Sequence, residues 1–335
     1  MSERLRDGLA PGRRTDVLLA HELTREPMAR VERTLLDLPD LQPAALRQAV
    51  INVVSAGGKR IRPVISLLIA GMLGRLDDPR MIDLASAVEM LHTATLVHDD
   101  LIDGSLMRRG TQTLNATWTP AATVLTGDYL FAYAANLAAR TNSTRVMSIF
   151  ADTLSVIVAG ELQQQFTDFA LRVTRDDYYR RIYSKTASMF VLACTAAGVL
   201  CEVTEAEYNA LYDYGRDLGT AFQVMDDVLD FTGDAHNVGK PVGADLRHGL
   251  ITLPVICYVE RYGRDGIECA LRGECDPQTY DRIIARIRES DAIACALHEA
   301  EGIADNARAA LAIFPANPYR QALLDLVDYT LRRTR

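Results

Sequence analysis

The sequence predicts an all-α protein. Apolar residues recur at three- and four-residue spacing over long windows, and the strongly alternating runs that mark half-buried strands are missing. Helix-start devices open several of those windows. Taken in order, the spacing predicts helices over 16–37, 42–57 and 61–74, the last entered from a turn that holds Lys59, Arg60 and Arg62. Asp78-Pro79 supplies an N-cap with proline at the first helical position and opens a helix over 80–103. Thr119-Pro120 repeats the device ahead of 121–139, and helices over 143–170 and 175–200 follow. Thr204 and Glu207 form a capping box before a helix over 204–231, with Gly233 just past its end. The spacing then predicts 249–262, 276–299 and 317–332. Several of these helices are apolar on more than one side, as in the centre of a large bundle. No repeat of 20 to 50 residues and no flexible linker appears, so residues 1–335 are expected to form a single domain.

Composition narrows the functional classes. The 335 residues are 49% hydrophobic and 24% charged, which excludes disordered and fibrous proteins. The longest nearly unbroken apolar stretches, 64–74 and 190–201, fall short of the ~20 residues a bilayer span needs, so no stable membrane insertion is expected. Arg4, Arg6, Asp7, Arg13, Arg14 and Asp16 interrupt the start where a signal peptide needs an apolar core, and a cytoplasmic location is expected. A net charge of −8 without a long basic block argues against nucleic-acid binding. The six cysteines show neither a Cys-x-x-Cys pair nor zinc-like spacing, and are expected to be reduced and mostly buried.

Of 36 Lys and Arg residues only Lys59, Lys185 and Lys240 are lysine, each in a glycine-rich or hydroxyl-flanked context. A compact ammonium suits a diphosphate as a point charge. Two clusters share the form Asp-Asp-x-x-Asp: Asp99-Asp100-Leu101-Ile102-Asp103 and Asp226-Asp227-Val228-Leu229-Asp230. The first and last Asp of each are four apart, so their carboxylates leave one helix face, one turn above the other. Repulsion there is compounded by the macrodipole at a helix C-terminus, and a cation must offset it. Hard oxygen ligands in ones and twos suit Mg²⁺, which shares its remaining positions with water and phosphate oxygens. Arg108, Arg109, Lys240, Lys59, Arg60 and Arg62 lie close in sequence to the clusters or in a turn between helices, a set suited to two polyphosphate groups.

On these residues the sequence resembles the trans-isoprenyl (polyprenyl) diphosphate synthase family, from about Gly57 to Pro254. The resemblance rests on Gly57-Gly58-Lys59-Arg60-Ile61-Arg62-Pro63, His92, His98-Asp99-Asp100-x-x-Asp103, Arg108-Arg109-Gly110, Gly127-Asp128-Tyr129, Lys185-Thr186, Phe222-Gln223-x-x-Asp226-Asp227-x-x-Asp230 and Gly239-Lys240. It implies a bundle of long helices around a deep central cavity, usually a homodimer. It further implies that Asp99, Asp103 and Asp226 bind about three Mg²⁺ ions with the allylic diphosphate, with Asp100, Asp227 and Asp230 as outer partners. Arg108, Lys185 and Lys240 would neutralise the leaving diphosphate, with Gln223 and Thr186 near the reacting carbons. Lys59, Arg62, His92 and Arg109 would hold isopentenyl diphosphate. The segment 245–254 departs from short-chain relatives in carrying His248 and Leu250 where Glu and Lys are frequent.

Helix 80–103 also provides a ruler. Thr95, Ala94, Leu91 and Ala87 precede Asp99 along one face, and a turn of about 5.4 Å is close to one isoprene unit. By resemblance, short-chain bacterial members close the cavity with an aromatic residue just before the cluster, whereas Ala94 and Thr95 leave it open. Leu91 or Met90, or the helix with Val156 and Ala159, is expected to stop growth. The expected product, from a farnesyl or geranylgeranyl primer, is C20 or longer, with C30 to C50 favoured. A C20 synthase, a terpene cyclase and a non-catalytic subunit are the alternatives. The basic residues for a second diphosphate count against a cyclase, and intact clusters count against a scaffold. His98-Asp99 could suggest an HD phosphohydrolase, but six His in the chain supply no partner spacing, and His98 is expected to bond locally. Tyr178, Tyr179 and Tyr183 are expected to be core or dimer contacts.

Overall fold

A computed structural model describes residues 14–38, 44–56, 58–108, 110–166, 174–233 and 242–333. Helices account for nearly all regular structure: α1 (Arg14–Leu36), α2 (Ala44–Ser55), α3 (Ile61–Met72), α4 (Arg80–Ile102), α5 (Leu114–Thr117), α6 (Pro120–Arg140) and α7 (Thr144–Phe166). Then come α8 (Arg175–Ile182), a π-helical turn (Tyr183–Ala187), α9 (Ser188–Leu200) and α10 (Glu205–Thr232). The remainder is α11 (Ala244–Arg247), α12 (Leu253–Tyr262), α13 (Glu268–Leu271), α14 (Pro277–Glu289), α15 (Ala292–Ala310) and α16 (Pro318–Arg332).

The described residues fall into two compact units. The first draws on Met1–Thr153, Leu192–Tyr212 and Ile313–Leu323, the second on Leu154–Val191, Asp213–Ala312 and Leu324–Arg335. In the first unit α4 is the central element, packed by α1, α3 and α6. It has apolar residues all round: Met81, Leu84, Val88, Met90, Leu91 and Ala94 are buried. Gly127 lets α6 approach α4, because a Cβ there would stand 2.1 Å from His98 Nε2. In the second unit Tyr178 and Ile182 of α8 join Val224, Val228, Phe231, Leu253, Ile283 and Ile287 in one core cluster.

The capping expectations hold at Thr119 and at Thr204 with Glu207. Thr119 Oγ1 accepts from the Ala122 amide, and Glu207 and Thr204 exchange bonds reciprocally at 2.8 and 3.3 Å. At the head of α4 the structure differs: the helix begins at Arg80 with Pro79, not Asp78, at the N-cap and no side-chain cap, while the Asp78 carboxylate accepts from the Arg80 amide at 2.9 Å.

Five expectations are corrected. The helix over 276–299 is two helices. Ser290 turns extended (ψ 177), its Oγ accepts from the Ala292 amide, and α15 restarts and runs to Ala310. The helix over 175–200 is interrupted by the π turn. Here Gly160 of α7 lies so near that a Cβ would meet Ser184 Oγ at 2.2 Å. Residues 249–252 are not helical; a short α11 precedes them and α12 begins at Leu253. Strand is present, as an antiparallel ribbon β1 (Met107–Arg108) and β2 (Thr111–Gln112) with Gly110 at φ 78 in its turn. Two-residue strands are too short to leave an alternating pattern.

The fifth correction concerns the thiols. Cys269 and Cys275 form a disulfide, because Gly273 at φ 71 turns the chain back and brings their Cα atoms to 5.0 Å. Cys194 and Cys257 are buried free thiols, whereas Cys295 is exposed. Among the described residues, two segments are long and apolar enough to cross a membrane by length and composition. In Arg175–Leu200 83% of the apolar window is buried inside the protein, and in Thr144–Phe166 22% is. A search for unbroken runs passes over the second because Asp152 and Glu161 interrupt it.

Gly160→Val is expected to destabilise the fold by about 1–3 kcal/mol, since the β-branched side chain must displace Ser184 and the π turn. Urea unfolding would measure it, and an unchanged midpoint would refute the role assigned to this contact.

Candidate active site

In the first unit the chain lifts Lys59 and Arg62 on the turn into α3, and a buried ion network fixes that turn. Arg60 adopts a left-handed conformation (φ 48, ψ 35) and directs its side chain back into the protein. Its Nη1 donates to Glu89 Oε1 of α4 at 2.7 Å, its Nε to Glu32 Oε1 of α1 at 3.0 Å, and its Nη2 to the Val54 carbonyl of α2 at 2.7 Å. Burial acts against the Arg60 charge, yet Glu89 and Glu32 outweigh it and raise its pKa. Lys59 is therefore exposed and Arg62 half-buried on either side of a fixed point. Glu89 also precedes His92 by one turn of α4, so one ion pair sets the turn against the helix carrying His92 and the first acidic cluster.

That cluster occupies the last turn of α4. Asp99 is half-buried, Asp100 is buried, and Asp103 is exposed at the C-cap. Asp100 Oδ1 accepts from Arg108 Nε at 2.7 Å, so the β1 arginine is oriented by the middle carboxylate. Asp100 is thus held by a protein partner, and Asp99 and Asp103 lie one helical turn apart. His98 bonds not locally but across to α6, to the Val124 carbonyl at 3.1 Å, with Asp128 Oδ1 at 3.5 Å and Phe131 edge-on at 5.2 Å. Upstream, Leu91 and Ala94 are buried, while Thr95 is half-buried with its Oγ1 donating to the His92 carbonyl.

In the second unit a chain of hydrogen bonds joins four residues on three elements, α8, the π turn and α10. Thr186 Oγ1 donates to Gln223 Oε1 at 2.7 Å, Gln223 Nε2 donates to Asp227 Oδ1 at 2.9 Å, and Tyr178 Oη donates to Asp227 Oδ2 at 2.7 Å. Full burial pushes the Asp227 carboxyl up to about 7, against the lowering effect of these donors. The π turn brings Thr186 to α10 and leaves Lys185 exposed, with Nζ 3.2 Å from Glu161 Oε1 of α7. Single π turns inside α-helices recur at functional sites. Asp230 accepts from the Ala244 and Asp245 amides at 3.1 and 3.2 Å, which ties α10 to α11. Asp226 accepts from Arg333 at 2.5 Å. Arg109 and Lys240 lie outside the described residues.

The donors of both clusters that face outward are carboxylate oxygens only, a set that fits a hard cation such as Mg²⁺ and not a thiolate metal. The guanidinium on Asp226 already shows a positive group at that carboxylate. Sequence reasoning missed Glu32, Glu89, Glu161 and Arg333, and it placed Tyr178 only as a core or dimer contact. A non-glycine residue in the Gly57-Gly58-Lys59-Arg60 turn was the one available hint at Arg60.

An all-α scaffold whose long helices end in paired carboxylates, each cluster met by a guanidinium, is the isoprenoid synthase class of fold. The polyprenyl synthetase family matches residues 43–282 of the chain. The octaprenyl diphosphate synthase of Haemophilus influenzae is 37% identical over 316 residues, covering 93% of this chain and 95% of that protein. Its Escherichia coli K12 counterpart is 36% identical, covering 94% and 98%. Among solved structures, a polyprenyl synthase from Caulobacter crescentus, complexed with calcium and isoprenyl diphosphate, superposes with a TM-score of 0.89 at 38% identity, covering 95% of this chain and 98% of that one. A decaprenyl diphosphate synthase from Rhodobacter capsulatus gives 0.87 at 36%, covering 94% and 98%. The chain belongs to the polyprenyl synthetase family: it is a trans-polyprenyl diphosphate synthase, a prenyltransferase.

Proposed function

We propose that the enzyme condenses isopentenyl diphosphate with a farnesyl or geranylgeranyl primer, repeatedly, to give all-trans products of C30 to C50. The observation that carries the reading is the pair of acidic helix ends with their partly exposed outer carboxylates, each next to a basic side chain. The octaprenyl and decaprenyl relatives favour the long range. Asp99, Asp103 and Asp226 would hold the magnesium ions, about three in number, with Asp100, Asp227 and Asp230 fixed by Arg108, Gln223, Tyr178 and the α11 amides behind them. Bound Mg²⁺ would withdraw negative charge from the leaving diphosphate.

The chain's own residues then have separate tasks. Arg108, Lys185 and Lys240 neutralise charge as the allylic C–O bond breaks. The carbonyl dipole of Gln223 and the hydroxyl of Thr186 lie near the developing cation, and Gln223 is held by Asp227. Lys59, Arg62, His92 and Arg109 bind isopentenyl diphosphate, whose double bond attacks the cation. The proton it then loses goes to the released diphosphate, so no protein base is needed. The full chain, incubated with Mg²⁺, labelled isopentenyl diphosphate and each primer, should yield C30 to C50 alcohols after dephosphorylation. Formation of C15 or C20 material alone would refute the length assignment, and no incorporation by the isolated chain would favour a two-subunit enzyme.

The Arg60 network gives a second test. Arg60→Ala strands Glu89, which is 4% exposed, and should cost about 3–5 kcal/mol in unfolding free energy. Arg60→Lys should retain more stability yet raise KM for isopentenyl diphosphate with KM for the primer unchanged. A rise in both would refute a role confined to the Lys59–Arg62 turn.

A homodimer, a cytoplasmic location and the absence of membrane insertion belong to the same reading. Val158, Leu162 and Phe166 form an exposed apolar stripe at four-residue spacing on α7, suited to a second copy, and Gln163, Gln164 and Gln165 on the same helix oppose insertion. Residues 1–335 are proposed to act as one catalytic domain, supported by the interleaving of three chain segments in each compact unit.

A further inference from the structure

Arg333 lies just past α16, 107 residues from Asp226 in sequence, and its Nη2 donates to Asp226 Oδ1 at 2.5 Å. Its guanidinium carbon stands 3.9 Å from the centre of the Phe222 ring. Phe222 precedes Asp226 by one turn of α10, so a single helix face presents an aromatic plane and a carboxylate to the same guanidinium. Arginine stacks on aromatic faces in this way, which fixes the plane of the fork.

The remaining donors of Arg333 are the telling feature. Its side chain is 11% exposed, and Nε and Nη1 are buried without a hydrogen-bond partner among the described residues. Buried charged donors are costly to leave unmade, and native proteins rarely do so without a ligand or a functional reason. A purely structural ion pair would close on both Asp226 oxygens or turn its spare nitrogens to water. A planar, pre-oriented fork beside an acidic metal site matches the oxygens of a phosphate group.

We propose that Arg333 is a diphosphate-binding residue that, before substrate arrives, stands in for the cation at Asp226. This rests on the reading of Asp226 as a Mg²⁺ ligand. When Mg²⁺ and diphosphate bind together, Asp226 passes to the metal and Arg333 turns its donors to diphosphate oxygens while remaining on Phe222. No bond is made or broken in the exchange; one cation replaces another at a carboxylate. Arg333 therefore opposes the binding of metal alone and favours the binding of metal with diphosphate. The acidic cluster is thereby kept from closing on Mg²⁺ without substrate.

The two effects have opposite signs, which a merely structural arginine would not produce. Isothermal titration of the full-length chain would measure Mg²⁺ alone, then inorganic diphosphate at saturating Mg²⁺. Arg333→Gln is expected to bind Mg²⁺ alone about threefold more tightly or better, and Mg²⁺ with diphosphate about tenfold more weakly. Arg333→Lys, which keeps the charge and loses the fork, should fall between Gln and the parent for diphosphate. Arg332→Gln, whose parent side chain is 63% exposed, serves as the control and should match the parent within about twofold. Thermal melting of each variant checks folding, and Arg333→Lys keeps the test decisive if Arg333→Gln is unstable. Two unchanged affinities, two that move in the same direction, or a change in only one would overturn the proposal. Failure of the parent chain to bind Mg²⁺ with diphosphate at all would instead overturn the reading of the acidic cluster, and this proposal with it.

Discussion

Asp103→Ala is expected to lower kcat for prenyl transfer by about a thousandfold or more while leaving the fold intact. Asp103 is exposed at the C-cap of α4, one turn beyond Asp99, where its charge adds to that of Asp99 and to the negative end of the helix macrodipole. Without a cation the residue is a local cost, so its removal should leave the melting temperature of the metal-free protein unchanged or slightly higher. With substrate present it would help hold the ion on which the leaving diphosphate depends, an effect of several kcal/mol on the barrier. Initial rates at saturating substrates, alongside melting curves with and without Mg²⁺, separate the two. A rate within tenfold of the parent would refute the assignment of this cluster to metal. A lower melting temperature without Mg²⁺ would mean that Asp103 is structural.

The second large effect is on product length. Ala94→Phe is expected to shorten the product from C30 or longer to C20 or less, read by chromatography of the dephosphorylated alcohols. Ala94 is fully buried on α4, five residues before Asp99. If its methyl lines the space into which the chain grows, a phenyl ring fills that space and leaves stability little changed. If it packs against side chains instead, the ring overpacks a core and costs about 1–3 kcal/mol. Short product with an unchanged unfolding midpoint supports the ruler, and unchanged product with a lowered midpoint removes Ala94 from it.

The capping devices at Thr119 and at Thr204 with Glu207 were legible because they act within three residues, and the structure uses the same atoms. The break at Ser290 was also local, but Ser-Asp between two amphipathic stretches in phase reads as a continuous helix. The divided roles of the acidic residues were legible only in part. Spacing places Asp99 with Asp103 and Asp226 with Asp230 on common faces, but it does not say that Asp230 is taken by the amides of α11.

The sequence by itself determined the helical class, the order of the long helices, and both carboxylate clusters with most of the cations around them. These follow from periodicity and from residue types a few positions apart, where covalent geometry alone fixes the neighbours. Tertiary structure decided what holds those residues in place: Arg60 on Glu89 and Glu32, Tyr178 on Asp227, the π turn that carries Lys185, and Arg333 on Asp226. Each joins positions about 28 to 107 residues apart, or depends on a helix passing close by at Gly160. Such contacts leave no periodic trace, because they are set by which surfaces meet once the helices have packed.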